Sequence, residues 1–234
     1  AGLFGIWVGT FSLTTLASTG IAAAVIVLVT LAASRHLLPY GGDAGGKLLA
    51  LPKGIVTFVG IIACIAFLGA GAIMDWGGVF LTTVRHFDMA LAGTGFTVFS
   101  AAMLTMRLLG DWTVQKLGQE RVVIGGSLLA VAGFLFIIFA PTVVLLYLGF
   151  FFIGVGCANV VPVFFSLLGK QHVMPISLAV PAVSTLGYLG ILMGPAAIGF
   201  IAHQTSLYAA FTLLAALVLL QAVIAAYVYR NIVE

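Results

Sequence analysis

A membrane-spanning helix needs about 20 predominantly apolar residues to cross roughly 30 Å of hydrocarbon. This chain offers seven such stretches, at 15–34, 54–84, 92–114, 121–140, 143–169, 174–203 and 206–230. They are too long for barrel strands, and none shows the roughly ten-residue in–out alternation of one. Of all residues 63% are hydrophobic and only 6% charged, against about 25% charged in an ordinary soluble domain. So few charges could not cover a water-soluble surface. The expected fold class is an all-α membrane protein, a polytopic bundle of transmembrane helices.

The nine Lys and Arg residues orient that bundle. Arg35, Lys47 and Lys53 flank the first long connection; Arg107, Lys116 and Arg121 surround the next one on that side. Lys170 and Arg230 follow, and only Arg85, in the short segment 85–91, falls on the opposite side. The positive-inside rule therefore assigns 35–53, 107–121, 170–173 and the C-terminus to the cytoplasm. The connections near 85–91, 140–142 and 203–206 face outward.

The organisation expected is a helix-ended N-terminal portion, residues 1–34, a Gly-rich flexible cytoplasmic linker, 35–53, and a six-tract unit, 54–234. Residues 1–13 read as the tail of an earlier helix. With no initiator Met, n-region or cleavage site they are not a signal peptide, so the chain is expected to be a piece of a longer one. Within the linker, Gly41-Gly42-Asp43-Ala44-Gly45-Gly46-Lys47 imitates a P-loop. Leu48 stands where Ser or Thr should hold Mg²⁺, and no strand precedes it, so nucleotide binding is not expected. Cys64 and Cys157 lie in apolar tracts without the spacing of a disulfide framework or a metal site. No metal, cofactor or nucleic-acid partner is expected, since the charges are scattered among helix ends rather than gathered into a patch.

Two segments carry candidate chemistry. Asp75, in Gly69-Ala-Gly-Ala-Ile-Met-Asp75-Trp76-Gly-Gly-Val-Phe, lies well inside the tract 54–84. A carboxylate in hydrocarbon costs at least about 2.5 kcal/mol, so it should face a cavity or a partner. A partly desolvated carboxylate takes up a proton more readily, which suits proton-coupled transport. The competing reading has the tract unwinding at Gly77-Gly78, leaving Asp75 as a helix cap at the outer interface. Trp76 stacks on a substrate in one reading and joins an interfacial aromatic belt in the other. The second segment is the cytoplasmic turn from Arg107 through Gly110, Asp111, Lys116 and Gly118 to Arg121. There Asp111 can pair with Arg107 or Arg121 and act as a latch; alternatively the turn is a solvated loop carrying topology charges.

The tract 174–203 adds Pro195 and the small-xxx-small pair Gly190 and Gly194, which suit a helix that packs closely and bends. Tyr188, Ser184 and Thr185 on it are within reach of a cavity. The four histidines lie at or beyond helix ends, so Ser127 in Gly125-Gly126-Ser127 has no His base and a serine-protease reading finds no support. No filter-like or re-entrant tract points to a channel.

The turn resembles the signature loop of the major facilitator superfamily, a Gly, an acid and then a basic-Gly-basic run. It departs from that pattern at Gln115 and at Gln119-Glu120, with Asp111 as the acid it retains. Residues 69–81 resemble helix seven of a bacterial inner-membrane branch related to fucose permease-like sugar transporters. Gly154-Val-Gly-Cys-Ala-Asn159-Val-Val-Pro162-Val-Phe-Phe-Ser166 resembles its helix ten, and 185–195 its helix eleven.

The resemblance implies that 1–34 are the end of helix five and helix six, and 54–234 the C-terminal six helices, half of a twelve-helix fold. The rest of the N-terminal bundle would be the partner. It further implies that helices seven and ten border the cavity, making Asn159 a substrate contact or an interhelical hydrogen bond, with Pro162 unwinding the helix beside it. The expected function is secondary active transport of a small polar solute, a sugar or metabolite, by alternating access in the bacterial inner membrane, with H⁺ as candidate coupling ion. Export of hydrophobic or drug-like compounds and a non-transport membrane subunit are the alternatives; no enzyme activity is expected.

Overall fold

The computed structural model describes residues 15–34 and 51–233. Two units separate, Ala1–Gly46 and Lys47–Glu234. Of the first, the described part is one helix, α1 (Thr15–Ser34), about 30 Å long at 1.5 Å per residue. Its bounds are those of the first apolar tract. The helix tail expected at 1–13, most of the linker at 35–53 and the P-loop imitation at 41–47 lie outside the described residues.

The second unit is entirely helical among its described residues. Its elements are α2 (Ile55–Val79), extended by a π-helical turn at Phe80–Val84, a short 3₁₀ turn at Met89–Leu91, α3 (Thr94–Leu108), α4 (Gly110–Leu117) and α5 (Gln119–Phe139). There follow α6 (Val143–Ala158), α7 (Val160–Leu167), a 3₁₀ turn at Leu168–Lys170, α8 (Ile176–Gln204) and α9 (Leu207–Val233). Among the described residues, six spans are long and apolar enough to cross a membrane: Ile55–Val84, Met89–Leu108, Gln119–Phe139, Val143–Lys170, Ile176–Gln204 and Leu207–Asn231. The protein is thus a polytopic, all-α membrane protein.

The tract expected to run 92–114 stops at Leu108, because the chain breaks at Leu109 and restarts as the separate helix α4. The turn expected as a loop is therefore itself helical. Gly118, at φ +84°, ends it and starts α5; a side chain at that backbone angle would be strained.

Burial forms two apolar clusters, one toward each end of the bundle. The first gathers Ile73, Phe80, Phe134, Ile137, Phe150 and Phe211. The second gathers Val59, Val123, Phe164, Leu167, Val183 and Val228. Within lipid the hydrophobic effect does not drive helix onto helix, so close packing has to. Here α5 and α6 meet glycine on glycine. A Cβ on Gly126 would stand 2.7 Å from the Gly156 carbonyl oxygen, and one on Gly133 would stand 2.7 Å from that of Gly149. Two such pairs, a heptad apart on antiparallel helices, bring the backbones into direct contact. A buried polar pair joins α5 to α9 as well: Gln221 donates Nε2–H to Ser127 Oγ at 2.8 Å. Ser127 is thus occupied as an interhelical contact.

Candidate functional site

Asp75 sits on α2, and the helix continues through Gly77 and Gly78 into the π-helical turn. The unwinding that would have made Asp75 a cap does not occur. It lies about 14 Å inside the end of its span at 1.5 Å per residue, with its side chain exposed on the bundle surface. Its neighbour Trp76 packs against α8. The indole Nε1–H donates to the Pro195 carbonyl at 3.2 Å, and the ring lies where a Cβ on Gly199 would reach within 2.9 Å of it. Trp76 therefore fastens α2 to α8, and neither the stacking nor the belt reading describes this contact. Pro195 takes part in it, although α8 runs unbroken past both Pro181 and Pro195.

Below this contact the parallel helices α2 and α8 fit by a different device. Gly187 receives the Phe67 ring, Gly60 receives Leu186, and Gly190 lies against the Cys64 carbonyl. Gly194 is in ordinary contact with Leu68, so the closer approach in the expected pair belongs to Gly190. Tyr188 is 60% exposed and stacks on Phe67, ring centroids 6.0 Å apart. Phe67 is two turns from Asp75, about 12 Å along the axis, so Tyr188 and Asp75 lie at different depths.

Asn159 belongs elsewhere. It forms the break between α6 and α7, is 7% exposed, and donates Nδ2–H to the Met106 carbonyl at 3.2 Å. Its Oδ1 lies where a Cβ on Gly110 would come within 2.7 Å. Three residues on, Pro162 has no N–H, so the Ala158 carbonyl loses its helical donor. Arg107 Nε–H takes that place at 3.4 Å. The second span's C-terminal turn and the break in the fourth span thus satisfy each other: a free carbonyl of each receives a side chain of the other. Asn159 makes the interhelical bond, with the residues named as a latch.

In this conformation Asp111 forms no ion pair with Arg107 or Arg121, among the described residues. Arg107 is engaged with Ala158, while Lys116 lies over the Trp112 ring, 4.6 Å from its centroid. Arg107 and Asp111 border a cleft of about 550 Å³, lined also by Gly110, Asn159, Pro162 and Ser166 among others. Its only α2 residue is Phe67, which leaves Asp75 outside it. Two separate polar regions result: a cleft at the end carrying most of the positive charge, and an isolated carboxylate exposed along the first span. No cluster of His, Cys, Asp and Glu suited to a metal occurs among the described residues.

Comparison with known proteins places this architecture. The family model of the Major Facilitator Superfamily matches residues 58–233. An uncharacterized MFS-type transporter of Yersinia pestis is 41% identical over 92% of this chain and 55% of its own length. An uncharacterized transporter of Sinorhizobium fredii is 34% identical over 78% of this chain and 48% of its own. The chain spans about half the length of these relatives. Among solved structures, the POT family transporter PepTSo superposes with a TM-score of 0.62 at 22% identity, over 78% of this chain and 38% of that one. That likeness is one of fold. The chain belongs to the Major Facilitator Superfamily.

Proposed function

We propose that the protein is a secondary transporter moving a small polar solute, a sugar or metabolite, across the bacterial inner membrane by alternating access. Residues 54–234 are its C-terminal six-helix bundle, with a cytoplasmic C-terminus; 1–34 end the N-terminal bundle and 35–53 link the two. A kinship with fucose permease-like transporters fits the motifs at 69–81, 154–166 and 185–195. The observation that carries the reading is Asp75: a carboxylate exposed on the surface of an unbroken span. A carboxylate directed at lipid is costly, so that face borders a water-accessible path where substrate or H⁺ is handled. Tyr188, exposed on α8, is a second candidate contact. The Arg107–Gly110–Asp111–Asn159 corner, with Lys116, Gly118 and Arg121, is the latch, its exchange of hydrogen bonds with α6 and α7 differing between the two access states.

The test is uptake of labelled sugars and small metabolites by proteoliposomes of the full-length protein under an imposed pH gradient. Accumulation that needs the gradient and is lost in Asp75→Asn supports the reading; uptake indifferent to both rejects a role for Asp75.

One observation favours a second reading, export of hydrophobic compounds. Thr82, Thr83, Thr97, Thr105, Thr185 and Thr212 donate their hydroxyls to backbone carbonyls three or four residues earlier. Those six donors are then spent within their own helices rather than offered to a polyol. Efflux of lipophilic cations from loaded vesicles, without uptake of any sugar, would select it.

A further inference from the structure

Among the described residues, Arg85 is the one Lys or Arg away from the charge-rich end, and the structure gives it an unusual setting. It follows the π-helical turn of the first span and is half-buried. Nη2 donates to the Ile137 and Ile138 carbonyls at 2.6 and 2.9 Å, in the last turn of α5. The guanidinium also lies 5.9 Å from the Phe80 ring centroid. A helix C-terminus carries roughly half a negative charge, so about half of the guanidinium charge stays unbalanced. Nε is buried without a partner, and no carboxylate among the described residues pairs with Arg85. His86 and Asp88 are adjacent in sequence but exposed.

Arg85 also lines a cavity of about 160 Å³, together with Phe87, Ala140, Pro141, Thr142, Val143 and Leu146. That is room for several waters or for an ion of a few heavy atoms. Its walls contribute no acid. We infer that this cavity is a binding site for a small monovalent anion, a halide or a monocarboxylate of formate size, with Arg85 as its counter-charge. Arg85 already joins the end of the first span to α5, and Thr142 and Val143 begin α6. An anion in the cavity fastens three span ends together, so the stability of the bundle depends on which anion is present.

The experiment is thermal unfolding of the full-length protein in detergent at fixed ionic strength, in sodium chloride, sodium formate or sodium gluconate, the last a much bulkier and more strongly hydrated anion. The expected result is a Tm about 2–4 °C higher in chloride or formate than in gluconate. Chloride alone acting identifies a halide site, and formate alone a carboxylate site. Arg85→Gln should abolish the difference. Thr142→Asp sets a tethered carboxylate on the cavity wall and keeps an acceptor at the N-cap of α6. It should unfold at the same temperature in all three salts, and it carries the test if Arg85→Gln does not accumulate. Equal Tm values for the unmodified protein in the three salts overturn the site, and an undiminished anion effect in Thr142→Asp overturns its location.

Discussion

The α5–α6 and α2–α8 interfaces both depend on glycine, and they use it in opposite ways. Between α5 and α6, glycine faces glycine twice, Gly126 with Gly156 and Gly133 with Gly149, and any added carbon meets backbone. Between α2 and α8, most of the glycines receive side chains: Phe67 at Gly187, Leu186 at Gly60, Trp76 at Gly199. Backbone cannot yield, whereas a side chain can change rotamer. The first pairing is accordingly a rigid hinge-pin of the bundle. The second can slide by small repacking steps, and it is the one that carries Asp75 and Tyr188.

The largest predicted effect tests the rigid side. Gly156→Leu should cost at least about 3 kcal/mol, the upper range for overpacking, and appear as loss of the monodisperse peak in size exclusion. Gly187→Ala, where the obstacle is the edge of the Phe67 ring at 2.8 Å, should cost only about 1 kcal/mol. Equal losses in the two variants, read by thermal unfolding, would dissolve the distinction between the interfaces.

The next effect concerns the polar contact between α5 and α9. Ser127→Ala strands the buried Gln221 amide, whose Oε1 already lacks a donor, and should destabilise by about 1–3 kcal/mol. The double variant Ser127→Ala with Gln221→Leu should recover most of that loss, because two apolar groups need no partner. A double variant as unstable as the single one would show that the pair contributes specific structure. The smallest effect belongs to α2–α8. Trp76→Phe removes one hydrogen bond to Pro195 and should cost about 1 kcal/mol, with little loss of fold in circular dichroism.

The spans were legible because length and hydropathy alone set them: the tracts at 54–84, 143–169 and 174–203 differ from the observed ends by two residues or fewer. The short helix α4 was not, since Trp112 and Val114 extend the apolar run past Gly110 without marking the break at Leu109. The glycine pairs of α5 and α6 were invisible for another reason. The chain has 29 glycines, and only the partner helix tells which of them face backbone. Asp75 could be found by its charge in an apolar tract, and its depth followed. Asn159 could be found too, but its bond to Met106 could not, because the acceptor is a main-chain carbonyl 53 residues away. For Arg107, the sequence marked Pro162 as freeing a carbonyl, yet not which donor would fill it. The setting of Arg85 at the end of α5 was likewise hidden, since a helix C-terminus offers no side chain to recognise.

Transport by the proposed route requires Asp75 to face a water-accessible path while Asn159 is held in its interhelical contact. Labelling by a membrane-impermeant maleimide measures that directly, with Asp75→Cys and Asn159→Cys each made in full-length protein whose Cys64 and Cys157 are replaced by Ala. The account predicts rapid labelling at position 75, slowed by bound substrate, and little at position 159 in the native protein. A position 75 thiol that stays unlabelled until the protein is denatured would place that face against lipid and contradict it.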